Sequence, residues 1–199
     1  SNSNAYVWRG LAHLLQKQGD AALADLHQAV ELDPQSVWAK AVIGLALIQV
    51  GRATDAVAAF NDALQQAPNL VVALLGRSVA HAESGGIVSA IADVTHALSI
   101  QPDDAEALTI RGDFHTVAGD FAAAANDFQR AMTVGERTQA LMKRWLWAVS
   151  QKRRSTTESA VPEAPSTDAP RGLDFDATLR TPNRGSSSRT TIVSPRRAT

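Results

Sequence analysis

The sequence predicts an all-α solenoid of helix-turn-helix units closed by a further helix and followed by a tail, and three observations predict it. Pro34, Pro68 and Pro102 recur at intervals of 34 residues, a spacing that belongs to stacked helical hairpins. Small residues recur in the same register: Gly10, Gly44, Ser78 and Gly112 form one column, Ala22, Ala56, Ala90 and Ala124 a second, and Ala29, Ala63, Ala97 and Ala131 a third. Such columns are what close helix contacts need. Gly51, Gly85 and Gly119 punctuate three units at the point where a first helix would end, because glycine enters the left-handed conformation that closes a helix.

Taken in order, the first unit covers residues 3–36 and departs from the pattern, with Lys17 in the glycine's place and Gly19 two residues later. That predicts a longer first helix and a tighter turn. Tyr6, Val7, Trp8, Leu11, Leu14 and Leu15 surround this helix instead of forming one stripe, so it is expected to continue upstream or to dock, a second copy of the chain included. The second unit, 37–70, carries Gly44, Gly51, Ala56, Phe60, Ala63 and Pro68; the third, 71–104, has Ser78 in the glycine column; the fourth, 105–138, has Glu136 where proline is expected. Leu26, Phe60, Val94 and Phe128 supply one large apolar residue to each second helix, and the closing proline cannot continue it. Residues 138–154 place Leu141, Met142, Trp145, Leu146 and Val149 at helical spacing, as a helix capping the apolar end of an array would. From Ser155 to Thr199, fifteen of 45 residues are Ser or Thr, five are Pro, and Phe175 is the sole aromatic, a composition too polar to offset its conformational entropy. This tail is expected to be disordered. The stretch Leu173–Leu179 is its only candidate docking motif; an incidental apolar cluster in a linker is the expected reading, and docking of Leu173, Phe175 and Leu179 in the chain's own groove is the alternative.

The pattern resembles the tetratricopeptide repeat family, in the bacterial variant suggested by Arg9-Gly10 and Arg111-Gly112 with Asp25, Asp93 and Asp127. The second unit carries the motif nearly whole, as Gly44, Gly51, Ala56-x-x-x-Phe60-x-x-Ala63 and Pro68, and the resemblance covers about residues 3–136. It implies a right-handed solenoid whose first helices line a concave groove that binds helices or peptides of partner proteins. Carried over by column, the groove would comprise Val7, Leu11 and Leu14, then Trp38, Ala41, Leu45 and Ile48, then Val72, Leu75, Val79 and Glu83, and last Glu106, Thr109 and Asp113. It runs from apolar to acidic. Chaperone-binding members of the family clamp a C-terminal carboxylate with Lys and Asn in columns that here hold Val7, Ala41 and Leu75, so that clamp is absent. An amphipathic helix or an extended peptide with apolar anchors and a basic end suits the groove better.

Composition narrows the function classes. The 199 residues carry 19 Lys+Arg against 20 Asp+Glu, without the basic excess of a dedicated nucleic-acid binder. Cysteine is absent, which excludes thiolate metal sites and a cysteine nucleophile and leaves the compartment, cytoplasm or periplasm, undecided. No apolar run approaches the roughly 18 residues of a membrane span. The chain opens on Ser1-Asn2-Ser3-Asn4 without a methionine, so any targeting segment would lie upstream. No G-x-G-x-x-G, Gly-Lys phosphate loop, H-E-x-x-H or G-x-S-x-G occurs, and neither an enzyme nor a cofactor is expected.

His13, His81 and His115 share one column, with Leu47 in the second unit. Stacked helices pack about 8–10 Å apart, whereas a zinc ion needs each ligand at about 2 Å, so these histidines cannot share one ion. They are expected to fill the partly buried slot that tyrosine takes in the family. His27 and His96 are expected to face solvent, and Asp103-Asp104 to cap a helix. Charge is uneven: residues 1–136 hold seven Lys or Arg and fifteen Asp or Glu, residues 137–154 six basic residues and no acid. The expected function is a non-catalytic protein-binding scaffold. Two alternatives remain: a regulatory or targeting segment of a larger enzyme, and recruitment to a membrane or nucleic acid through the basic helix.

Overall fold

Paired helices follow from the spacing of the small columns. The computed structural model describes residues 2–157, and among them there are nine helices and no strand: α1 (Asn2–Leu15), α2 (Gly19–Leu32), α3 (Val37–Gln49), α4 (Ala53–Gln66), α5 (Val71–Glu83), α6 (Ile87–Ile100), α7 (Ala105–Val117), α8 (Phe121–Val134) and α9 (Gln139–Thr157). Each odd helix up to α7 pairs with the even helix after it, each pair packs on the next, and α9 packs on α8. The tail motif at Leu173, Phe175 and Leu179 lies outside the described residues.

Toward Lys17 the first unit has neither the helix extension nor the tighter turn its sequence suggests. α1 stops at Leu15 and α2 starts at Gly19, leaving the same three-residue turn as the other units, because Lys17 adopts φ 59° where Gly51, Gly85 and Gly119 have φ 76–81°. The lysine accepts the left-handed backbone so that the register survives. At the other end, α9 runs three residues beyond the expected limit of 154.

Caps follow the side chains available. Ser36 accepts from the amide of Ala39, and Asp120 from that of Ala123. Asp104 accepts from the amides of Glu106 and Ala107 at 2.9 and 3.1 Å, so the capping expectation for this acid pair holds at Asp104, while Asp103 lies 3.6 Å from Arg130.

Close packing centres on the glycine column. A Cβ on Gly44 would stand 2.6 Å from the Phe60 ring, and one on Gly76 would stand 2.3 Å from the same ring. Phe60 is thus wedged between α3 and α5, fully buried. Gly112 receives Phe128 and Gly10 receives Leu26 in the same way. In the third unit, the smaller Val94 coincides with the larger Ser78, whose hydroxyl donates to the Leu75 carbonyl at 2.6 Å. The buried apolar residues form two clusters, one mainly from α1 to α5 with Ala97 of α6, and one from α6 to α9, and Leu75 packs against both.

Candidate functional site

The first helices α1, α3 and α5 lie side by side, which brings the columns predicted for the groove onto neighbouring helices. Their exposure differs. Val7 is 2% and Ala41 1% exposed, so both pack between helices and cannot serve as anchors. Leu11, Leu14, Leu45, Ile48, Val72, Leu75 and Val79 are half-buried. Trp38, at the start of α3, is 43% exposed and offers the largest apolar surface in these columns.

Toward α7 the chemistry changes. Glu83 and Glu106 are exposed at the surface, yet removal from water raises the proton affinity of both, with Asp104 adding to the effect at Glu106. Thr109 satisfies its hydroxyl on the Ala105 carbonyl at 2.8 Å. Asp113 is engaged by Arg144 of α9 at 2.9 Å, and burial pushes its carboxyl up to about 6 against the opposing pull of that arginine. The groove columns therefore hold two accessible carboxylates, Glu83 and Glu106, and a third closed by α9.

A second constellation escaped the sequence reading as a set. Arg9 grips Asp25 with Nε and Nη2 at 2.6 Å each, Arg77 grips Asp93 at 2.8 and 2.6 Å, and Arg111 grips Asp127 at 2.8 and 2.7 Å. The three aspartates are buried. The guanidinium of Arg9 holds the Asp25 carboxyl below the usual carboxylate range. His13, His81 and His115 sit half-buried with Nε2 3.6–3.9 Å from the same aspartates, so the tyrosine slot is indeed partly buried but serves a charge cluster. The signal was available: each arginine precedes its aspartate by sixteen residues, and in the second unit Ile43, Ala59 and Leu47 replace all three members together. Each cluster satisfies itself, which makes it a packing device rather than a reactive centre.

Also missed was a cleft between α8 and α9, of about 590 Å³, bordered by Ala122, Ala125, Gln129, Trp145, Val149 and Arg153. Trp145 occupies, thirty-four residues on, the column that holds Arg77 and Arg111. Those arginines reach back to Asn61 and Thr95 of the preceding second helix. Trp145 has no such reach. His27 and His96 are exposed as expected. Among the described residues no group of His, Asp or Glu is arranged to hold a metal ion, and no helix is long and apolar enough to cross a membrane.

Two family models described as tetratricopeptide repeat match residues 13–78 and 75–138. No curated protein matches. Among solved structures, a tetratricopeptide repeat protein from Parabacteroides merdae ATCC 43184 is similar at 18% identity and TM-score 0.67, over 78% of this chain and 62% of that one. This chain thus spans less than two thirds of that protein. PilF of Pseudomonas aeruginosa is similar at 17% identity and TM-score 0.70, over 77% of this chain and 70% of that one. PilW, described as a widely conserved type IV pilus biogenesis factor, is similar at 23% identity and TM-score 0.70, over 78% and 74%. At these identities the likeness is one of fold.

Proposed function

The chain belongs to the tetratricopeptide repeat family, and from that premise we propose that it is a non-catalytic scaffold holding a partner's helix or extended peptide along its first helices. The observation that carries this reading is the gradient across α3, α5 and α7. Trp38, Leu45, Ile48, Val72, Leu75 and Val79 offer half-buried or exposed apolar surface, and Glu83 and Glu106 follow as partly desolvated carboxylates. A ligand with two or three apolar anchors and a basic end matches that order. Each anchor fully buried contributes about 1.5–3 kcal/mol before ordering costs. Thr109 and Asp113 belong to the same columns, but their polar atoms are already engaged, so the acidic end of the site is carried by Glu83 and Glu106.

Selection from a library of displayed peptides tests the reading, with the unaltered chain and a Trp38→Ala, Leu75→Ala double variant of matched helicity as baits. Enrichment of sequences with helically spaced apolar residues and a basic end, held by the first bait and lost by the second, is the expected result. Removing a central aromatic anchor should cost about 2 kcal/mol, roughly a thirtyfold loss of affinity. Equal enrichment on both baits, or selection of acidic sequences, would overturn it.

A further inference from the structure

One face of α1 continues the joints of the array. Gly76 marks the side on which a first helix meets the second helix of the unit before it, because the Phe60 ring of α4 stands where a Cβ would be. On that side of α5 run Ala73, Gly76 and Ala80. The same columns hold Ala39, Val42 and Ala46 on α3 and Ala107, Ile110 and Phe114 on α7, and all of these are buried. On α1 the columns hold Ala5, Trp8 and Ala12, with Leu15 continuing the stripe, and here every member is exposed, Trp8 by 67% and Leu15 by 80%. α1 itself packs on α2 and α3. The stripe lies about 140–160° around the helix from Gly10, the residue that receives Leu26 of α2. Arg9 beside it agrees: its side chain is 60% exposed, against 22% for Arg77 and 18% for Arg111, which reach Asn61 and Thr95 of a preceding helix.

Size decides what this face accepts. The second helices carry one large residue between two alanines, as in Ala22, Leu26, Ala29 and in Ala56, Phe60, Ala63. Phe60 finds room because glycine stands opposite. A helix of that kind laid on α1 would bring its large residue onto Trp8, a larger one. The mate of Trp8 therefore offers a small residue there, and α1 is such a helix. Ala5, Trp8, Ala12 and Leu15 alternate small and large at steps of three and four, the spacing of a seam between two helices. Turned antiparallel about Gly10, a second copy sets its own Ala12 level with Trp8 and its own Leu15 level with Ala5. Each large side chain then meets an alanine, which lets the layers interdigitate. No unbalanced charge opposes the approach: Arg9 is the only Lys, Arg, Asp or Glu of α1, and Asp25 grips it at 2.6 Å.

We propose that two copies of the chain pair through α1 in antiparallel, two-fold fashion, with Trp8 of each copy seated on Ala12 of the other and Leu15 on Ala5. Such a contact is self-complementary and closes at two copies. A single helix face is smaller than a standard interface of about 1,600 Å², so the association belongs to the weak class and shows itself at high concentration. Trp38 and Leu75 take no part in it, and it stands independently of the peptide-binding reading of the groove.

Sedimentation equilibrium of the full chain at concentrations up to about 1 mM tests the pairing. The unaltered chain is expected to approach twice the monomer mass. Trp8→Ala removes the large member of the layer, and Ala12→Trp sets tryptophan against tryptophan. Each substitution enters the two-fold contact twice, so either alone is expected to raise the dissociation constant at least about tenfold. An equimolar mixture of the two variants is expected to associate more tightly than either variant by itself, because every level again pairs tryptophan with alanine. Both positions are exposed, so the helicity seen by circular dichroism is expected to be unchanged. A chain that stays monomeric throughout would overturn the proposal and leave the stripe to a helix of other origin. Masses that pass the dimer, or a dimer that either variant weakens less than about tenfold, would overturn it by placing the contact elsewhere. A mixture that associates no better than its components would overturn the antiparallel register.

Discussion

At the scale of single residues, the chain contains its own control for the buried charge clusters. Arg111, Asp127 and His115 occupy in the fourth unit what Ile43, Ala59 and Leu47 occupy in the second, and both units keep the same hairpin. Removing one partner of a buried pair leaves the other uncompensated, whereas exchanging the whole set for apolar residues of suitable shape is often neutral. Asp127→Ala alone is expected to destabilise by about 3 kcal/mol, and the triple change Arg111→Ile, His115→Leu, Asp127→Ala by about 1 kcal/mol or less. Urea denaturation followed by circular dichroism compares the two. A triple variant as unstable as the single one would show that the charges themselves hold the unit. Lys17 permits a second residue-scale forecast. Its φ of 59° costs a non-glycine residue about 1–2 kcal/mol, and at the three equivalent glycines a Cβ would meet no atom within 4 Å. Lys17→Gly should therefore raise stability by about 1 kcal/mol after the entropy of the added glycine is subtracted, read as a higher urea midpoint at unchanged slope.

At the scale of the element, the pairing of helices is decided by where small and large side chains meet. Phe60 needs Gly44 from its own unit and Gly76 from the next, so α3, α4 and α5 are locked at one point. Gly76→Ala would force the ring or α5 to shift and should cost about 1–3 kcal/mol, more than Gly86→Ala, whose built Cβ meets nothing nearer than 3.3 Å. Thermal melts of the two variants give the comparison. The repeat made most of this legible: the 34-residue period sets every hairpin, and the large column of Leu26, Phe60, Val94 and Phe128 is buried throughout. Gly76 was not legible, because its column reads Trp8, Val42, Gly76 and Ile110 and has no small-residue rule to reveal it. For the proposed groove the sequence shows columns but not exposure. Val7 and Ala41 share the proposed columns but are buried, a consequence of packing distance that spacing does not encode. Asp113 was assigned to the groove by its column, and only the path of α9 brings Arg144 onto it.

At the scale of the whole molecule, the contact between Asp113 and Arg144 ties the last helix to the fourth unit and makes that attachment depend on pH. The Asp113 carboxyl takes up a proton more readily in the folded chain, at about 6, than at its ordinary value of 3.8, because burial outweighs the nearby guanidinium. The folded state therefore binds more protons than the unfolded one between these values, and stability falls as pH rises through that window. The contribution is fully present below about pH 3.8, is lost by about pH 6–7, and amounts to at most about 3 kcal/mol at 1.36 kcal/mol per unit. Asp25 acts in the opposite sense: its lowered carboxyl favours the fold above its ordinary value and loses that contribution as pH drops. The raw stability profile mixes both, so the informative quantity is the difference between the unaltered chain and Asp113→Asn, which retains an oxygen to accept from Arg144. That difference should favour the unaltered chain at pH 4 relative to pH 7, decline through pH 5–6, and stay flat above pH 7. Urea denaturation at half-unit steps measures it, and hydrogen exchange on α9 locates it. A difference that does not change with pH would mean that Asp113 is hydrated and that α9 is held by the apolar contacts of Leu141, Trp145 and Ala148 alone. A decline accompanied by faster exchange in α9 at pH 7 than at pH 4 would identify this one carboxylate as what loosens the last helix as pH rises.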